Sequence, residues 1–240
     1  MILVEGSISV KACLLGGKRK VHCVYVDESK HDKNTHFILA KAKGNHVRIV
    51  YTTREKIDAM ASGRTHGGIL AEVEQRQYQT LQDGMQNTPL LFVLEGVEDP
   101  FNLGYVIRSL YSAGCTGLIL RNRDWSLAES TILKSSAGAF EYLNIILSDD
   151  IPSLIREVKK EGVHTYAAMR KDACIYWEKD YTHPCLIAIG GEMRGLSSKV
   201  LEEIEENIYI PYANDFRAAL NASGAANVIA FEAFRQRNTF

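Results

Sequence analysis

No cysteine pair in this sequence has the CxxC spacing of a zinc or dithiol site. The five cysteines, Cys13, Cys23, Cys115, Cys174 and Cys185, are scattered and odd in number. That pattern argues against a disulfide framework and predicts a reducing, cytoplasmic setting. Long apolar runs are also missing, since none approaches the roughly 18 residues that a membrane helix needs. The opening MILVEGSISV lacks the basic-then-apolar order of a secretory signal. There is no internal repeat and no low-complexity tract. Three familiar nucleotide and hydrolase signatures are absent as well. Without GxxxxGK[ST] there is no P-loop, and without GxGxxG after a leading strand a dinucleotide site is not expected. No serine sits in a GxSxG elbow.

Overall charge is nearly balanced, with 28 Lys and Arg against 29 Asp and Glu among 240 residues. The balance hides an asymmetry. Through Gly84 there are 13 basic and 9 acidic residues, whereas the remainder has 15 and 20. A basic leading module could contact RNA or phosphate, although scatter alone could produce so small an excess. Composition changes at QDGMQNTP, which is polar and carries Gly and Pro, and 81–89 reads as a linker. Residues 1–80 and 90–240 are then two domains. In the first, VHCVYVD, HVRIVYTT and GGILAEVE read as strands, with short helices at 8–17, 35–45 and 54–62. In the second, LLFVLEGV and CLIAIG are continuous apolar runs, as expected of parallel strands buried on both faces. Helices are predicted at 103–113, 151–161, 197–206 and 217–237. Alternating strand and helix throughout predicts an α/β fold with a mainly parallel sheet.

Open α/β sheets bind ligands at the carboxyl ends of their strands. Three such ends are unusual here. EGVEDPFNLGYVIRSLYSAG (95–114) places Asn102 at a helix start and Arg108 inside the helix; a capped helix with a surface arginine would read the same way. IAIGGEMRGLSSKV (187–200) ends a buried strand in two glycines, which let a ligand approach the backbone or simply make a turn. IPYANDFRAALNASGAANVIAFEAF (210–234) sets Asn221 and Ser223 before an alanine-rich helix, where they could cap it.

Together, the order and spacing of these segments resemble the three motifs of the SpoU/TrmH family of RNA ribose methyltransferases, in the SPOUT superfamily. Asn102, Gly104 and Arg108 match its N-x-G-x-x-x-R motif. Gly190, Glu192, Gly195 and Leu196 match G-x-E-x-x-G-L, and Ile210, Pro211, Leu220, Asn221 and Ser223 match the third. SSAGAFEYL (135–143) is similar to the segment between the first two. The first half resembles the family's L30e-like RNA-binding module, most clearly at GRTHGGILAEV (63–73).

The resemblance implies a deep trefoil knot, an α/β-knot fold with S-adenosyl-L-methionine as methyl donor and a ribose 2′-hydroxyl of structured RNA, ribosomal rather than transfer RNA, as acceptor. It implies that Gly190, Gly191, Gly195, Ile210 and Leu220 contact the donor. Arg108 is the leading catalytic residue, as base or as electrostatic stabiliser, with Asn102, Glu192 and Asn221 orienting it and the ribose. No metal is required. A homodimer through the C-terminal helix would complete the site, and Lys18, Arg19, Lys20, Arg54, Arg64 and His66 are candidate RNA contacts. Some positions depart from the pattern. Ala219 stands where the family usually has Ser, Met193 replaces a usual Gly, and Gly68 replaces a Gln. Ala219 raises the alternative of an RNA-binding homologue with weak or no transferase activity.

Overall fold

The computed structural model describes residues 1–191, 193–215 and 218–238. Along the chain lie β1 (Ile2–Glu5), α1 (Ser7–Gly16), β2 (Val21–Asp27), α2 (Lys33–Gly44), β3 (Arg48–Thr52), α3 (Arg54–Met60) and β4 (Ile69–Val73). There follow α4 (Leu81–Gly84), β5 (Leu90–Glu95), α5 (Pro100–Ser112), β6 (Gly117–Arg121), α6 (Glu129–Ser135), β7 (Ile145–Ser148) and α7 (Ile151–Lys160). The last elements are β8 (His164–Ala168), β9 (Ala173–Ile175), β10 (Cys185–Gly190), α8 (Ser198–Leu201), β11 (Glu206–Tyr209) and α9 (Ala222–Arg237).

These elements form two compact units. The first comprises residues 1–77 and 125–142. Its four-stranded sheet has the order β1-β4-β2-β3, with β2 and β3 parallel and β4 antiparallel to both neighbours. Val24, Val26, Ile38, Ile57 and Leu70 are buried in its core. Helix α2 starts where the Asp32 side chain accepts the Thr35 amide, and α1 stops where Gly17 takes a left-handed conformation. The domain expected from sequence ended at 80, but this unit also takes in 125–142, which leaves the second half of the chain after β6 and returns before β7. Gly16 has a packing reason: a Cβ there would lie 2.4 Å from the Glu141 carbonyl oxygen.

The second unit comprises residues 78–124 and 143–240. Its seven strands are ordered β7-β6-β5-β10-β8-β11-β9, and every pairing is parallel. Leu91, Val93, Ile119, Leu186 and Ala188 fill one side of the sheet together with Ile155 and Val200 of its helices. The register places Glu95 at the end of β5 beside Gly190 at the end of β10. Three strand ends that carry the motifs are therefore close in the sheet order, since only β8 lies between β10 and β11.

Several boundaries differ from those read in sequence. The linker segment opens with α4, where Thr80 and Asp83 form a capping box. The helix expected over 197–206 ends at Leu201. Thr165 Oγ1 accepts the Glu205 amide while the Glu205 carboxylate accepts the Thr165 amide, and these bonds draw the chain to the sheet as β11. The final helix starts at Ala222 rather than 217, because Asn221 caps it; residues 216 and 217 lie outside the described residues. Part of the small face of the C-terminal helix expected to form a dimer is covered within the chain, while Ala219 is exposed. Ala226, Ala230 and Ala233 are buried, and α9 packs against α5.

Candidate active site

The site begins with two backbones that touch. After β10 the Gly191 amide donates to the Glu95 carbonyl at 2.6 Å. A Cβ on Gly191 would lie 2.2 Å from the Gly96 oxygen, and one on Gly190 would lie 2.3 Å from the Gly195 carbonyl carbon. Any side chain at either position forces the loops apart. Gly96 and Gly195 themselves have φ of +78° and +63°, conformations that side chains disfavour. The Ser197 amide then donates to the Glu95 carboxylate at 2.7 Å. The loops that follow β5 and β10 are thus tied by backbone and side chain.

A third segment closes on them. The Asn221 side chain accepts the Gly224 amide at 2.7 Å and starts α9. Just before it, the Leu220 amide donates to the Tyr212 hydroxyl at 2.6 Å, and the Arg170 guanidinium lies 4.5 Å from the centre of the Tyr212 ring. Between this segment and the β10 loop is a cavity of about 430 Å³. Gly190, Gly191, Gly195, Ile210 and Leu220 all line it, with Ile189, Ile208 and Leu201 adding apolar surface. Ala219 lines it too.

A second cavity, of about 770 Å³, lies on the other side of the β10 loop. Gly191, Arg194, Gly195 and Ala222 border both. Asn102 of α5 and Ser223 of α9 line the second cavity, as do Glu95, Asp99 and Arg121. The Asp99 carboxylate is occupied, because it accepts the Asn102 amide and caps α5. Arg108, in contrast, lines neither cavity. It is exposed on α5, on the stripe that also exposes Phe101 and Tyr105. Asn221 is exposed and its oxygen is engaged in capping. Glu192 lies outside the described residues. Among the described residues no cluster of His, Cys, Asp and Glu could hold a metal ion, and no helix is long and apolar enough to cross a membrane.

Comparison with known proteins agrees with this architecture. Residues 89–231 match the profile of the SpoU rRNA methylase family. The chain belongs to that family. Residues 3–79 of this SpoU chain match a second profile, described as RNA 2′-O ribose methyltransferase substrate binding. A relative from Ralstonia nicotianae, named 23S rRNA (guanosine-2′-O-)-methyltransferase RlmB, is 29% identical over 241 residues, covering 98% of this chain and 96% of its own. A protein of the same name from Pseudomonas syringae is 27% identical and covers 98% and 96%. Among solved structures, the SpoU methyltransferase AviRb from Streptomyces viridochromogenes in complex with AdoMet superposes with a TM-score of 0.80. It is 23% identical, over 98% of this chain and 90% of that one, and so shares its fold. AdoMet-bound rRNA methyltransferase from Sinorhizobium meliloti gives 0.81 at 22% identity, over 99% and 88%.

The SpoU chain's first unit separates the candidate RNA contacts. Lys20, Arg54 and Arg64 are exposed and Lys18 is half-buried. Arg19 and His66 are not surface groups, which corrects the sequence reading. The Arg19 guanidinium is fully buried, 2.8 Å from Glu141 and 2.7 Å from Glu129. Burial works most strongly against its charge, but the two carboxylates outweigh that and raise its pKa. His66 is 2% exposed. Its Nδ1 accepts the Gly68 amide, and its Nε2 lies 3.0 Å from the Asp58 carboxylate that also holds Arg54. The basic character of the leading module suggested RNA contacts, and nothing local revealed that the partners of Arg19 stand at 129 and 141. Arg121 and Arg194 were not singled out by sequence, although Arg121 stands at the carboxyl end of β6, where the strand-end rule points.

Proposed function

We propose that this SpoU protein transfers a methyl group from S-adenosyl-L-methionine to a ribose 2′-hydroxyl of structured RNA, with ribosomal RNA as the substrate class. One observation carries this reading. Three separate motif segments meet at a wall shared by two cavities, one apolar with glycine backbone and one polar. The first cavity suits the donor. Gly190, Gly191 and Gly195 line it without side chains, and Ile189, Ile208, Ile210 and Leu220 can enclose an adenine. When bound, S-adenosyl-L-methionine supplies an electrophilic methyl group, and the deep trefoil knot implied by the family would hold it bent.

In the second cavity the chain's task is to align the acceptor oxygen and assist loss of its proton. Alignment alone can contribute about 7–11 kcal/mol of barrier lowering. We assign the orienting of the ribose to Asn102, which lines this cavity, with Glu192 and Asn221 as further orienting residues. Arg108 stabilises the developing alkoxide, because a guanidinium keeps its proton in ordinary settings. It lines neither cavity of its own chain, so we assign it to a homodimer. Phe101 and Tyr105 of α5 and Phe231 of α9 are about half exposed. Such an aromatic face, buried against a second copy, would bring Arg108 to a partner's acceptor cavity.

The test is transfer of tritiated methyl from the donor to ribosomal, transfer and total RNA, with the methyl mapped to base or ribose. Label on ribose 2′-oxygen of ribosomal RNA is the expected result. An Arg108→Ala protein that binds S-adenosylhomocysteine but loses transfer supports the assigned role. Absence of calorimetric binding to both donor and S-adenosylhomocysteine would overturn the enzyme reading in favour of an RNA-binding homologue, the outcome that Ala219 on the donor cavity would then explain.

A further inference from the structure

From the acceptor cavity, and resting on the methyl-transfer reading, we infer that Arg121 and Arg194 form a two-point oxyanion clamp for the RNA phosphodiesters flanking the methylated ribose. Most arginines of the second unit are already satisfied. Arg156 pairs with Glu203 and Arg235 with Glu232, while Arg237 donates to the carbonyls of Tyr181, Thr88 and His183. Arg123 lies 3.9 Å from Glu98, and Arg170 lies over Tyr212. Arg121 and Arg194 have no hydrogen-bond or ion-pair partner among the described residues, yet both border the same cavity.

The acidic groups of that cavity do not answer them. Glu95 accepts the Ser197 amide, Asp99 accepts the Asn102 amide, and Glu98 faces Arg123. Each of these carboxylates already has a partner within the chain, whereas the Arg121 and Arg194 side chains are exposed and have none among the described residues. A guanidinium's fork of donors matches the oxygens of a phosphodiester, and charge-assisted bonds of this kind are about twice as strong as neutral ones. Arg121 leaves the end of β6 and Arg194 the loop after β10, so they reach the cavity from separate elements. Two anchors from different directions fix a strand's path, whereas one anchor fixes only a point.

Arg194 also borders the donor cavity. A carboxylate on the donor is therefore a second possible source of the same oxyanion chemistry, and the experiment separates the two. Arg121→Gln, Arg194→Gln and the double variant are compared with wild type in RNA affinity against salt and in calorimetric binding of S-adenosylhomocysteine, which retains the carboxylate. Each single change is expected to weaken RNA binding about tenfold and to reduce the slope of log affinity against log salt by about 0.7. The double variant should lose about twice that slope, with KM for RNA raised, kcat nearly unchanged and S-adenosylhomocysteine bound as in wild type. Arg121→Lys should restore the slope but only part of the affinity. Unchanged RNA binding in the double variant would overturn the clamp, as would weakened S-adenosylhomocysteine binding with RNA affinity intact. Wild-type protein that methylates no RNA fraction removes the underlying reading and the clamp with it.

Discussion

Replacing Arg19 by methionine takes a cation from between two carboxylates and leaves both behind. In the native unit the guanidinium bonds Glu141 through Nε and Nη2, Glu129 through Nη1 and the Glu74 carbonyl through Nη1. The Glu141 side chain is fully buried and that of Glu129 is 3% exposed. Water cannot take over from the lost donors. Removing one partner of a buried ion pair costs about 3–5 kcal/mol, most of it from the uncompensated charge. We expect a loss of that size at neutral pH. Replacing all three groups by apolar residues, as Arg19→Met with Glu129→Met and Glu141→Leu, should recover most of it, because the penalty lies in the imbalance. The two units need not unfold together, so the probe must report on one of them. Trp125 is buried in the first unit and Trp177 is in the second. With Trp177→Phe as background, urea unfolding followed by Trp125 fluorescence isolates the first unit. A loss below about 1 kcal/mol, the level of an exposed pair, would refute the reasoning.

The crossing of the β5 and β10 loops predicts that Gly191→Ala abolishes S-adenosylhomocysteine binding and lowers the melting temperature of the second unit, and a variant that binds normally would show that the loops do not meet so closely. Native protein should offer one fast thiol to Ellman's reagent, Cys174, and five after denaturation, since the other cysteines are buried. Burial pushes the Cys115 thiol up to about 12 and Cys185 to about 11, which adds to their inertness. Glu5 predicts an acid response. Its burial alone would raise the carboxyl, but Lys134 at 2.6 Å and two bonds from Ser62 prevail and lower it to about 2. Its folded pKa is depressed, so its stabilisation is present above about 4.5 and is lost as pH falls towards about 2. Glu5→Gln should remove that part of the acid unfolding of the first unit, seen as a shallower pH dependence of its urea midpoint over this window.

Periodicity made the sheet legible and left the ties between distant segments hidden. LLFVLE and CLIAIG could be read as buried parallel strands because both are continuous apolar runs up to their last residue, and both lie in the sheet centre with Glu95 beside Gly190. Gly190 and Gly191 could be flagged for close approach, but the approach was attributed to a ligand, and Gly96 and Gly195 turn out to be the nearest neighbours. Strand β1 and edge strand β9 escaped because four and three residues give no period to detect. The alanine-rich C-terminal helix read as a dimer contact; that α5 of the same chain covers part of its small face is a tertiary fact that composition does not encode. Arg108 shows a further limit. Spacing placed it in a motif, while its exposure on an aromatic stripe depends on which face of α5 the sheet and α9 cover.

The first unit extends beyond the span of its sequence profile. Its sequence profile spans residues 3–79, yet the carboxylates that neutralise Arg19 stand at 129 and 141, and the amine that meets buried Glu5 belongs to Lys134. Arg76 likewise donates to the Phe140 carbonyl at 2.9 Å. Gly16 and Gly138 are small because the excursion packs on α1 without room for a Cβ: one on Gly138 would lie 2.8 Å from the Ala12 methyl. Buried charges of opposite sign contributed by segments more than a hundred residues apart cannot be separated without exposing or orphaning them. The first unit is therefore completed by chain that begins and ends in the second, and the polypeptide passes between the units after residues 77, 124 and 142. A change in the excursion, such as at Glu129, should thus act on the first unit although it lies within the span of the methylase profile.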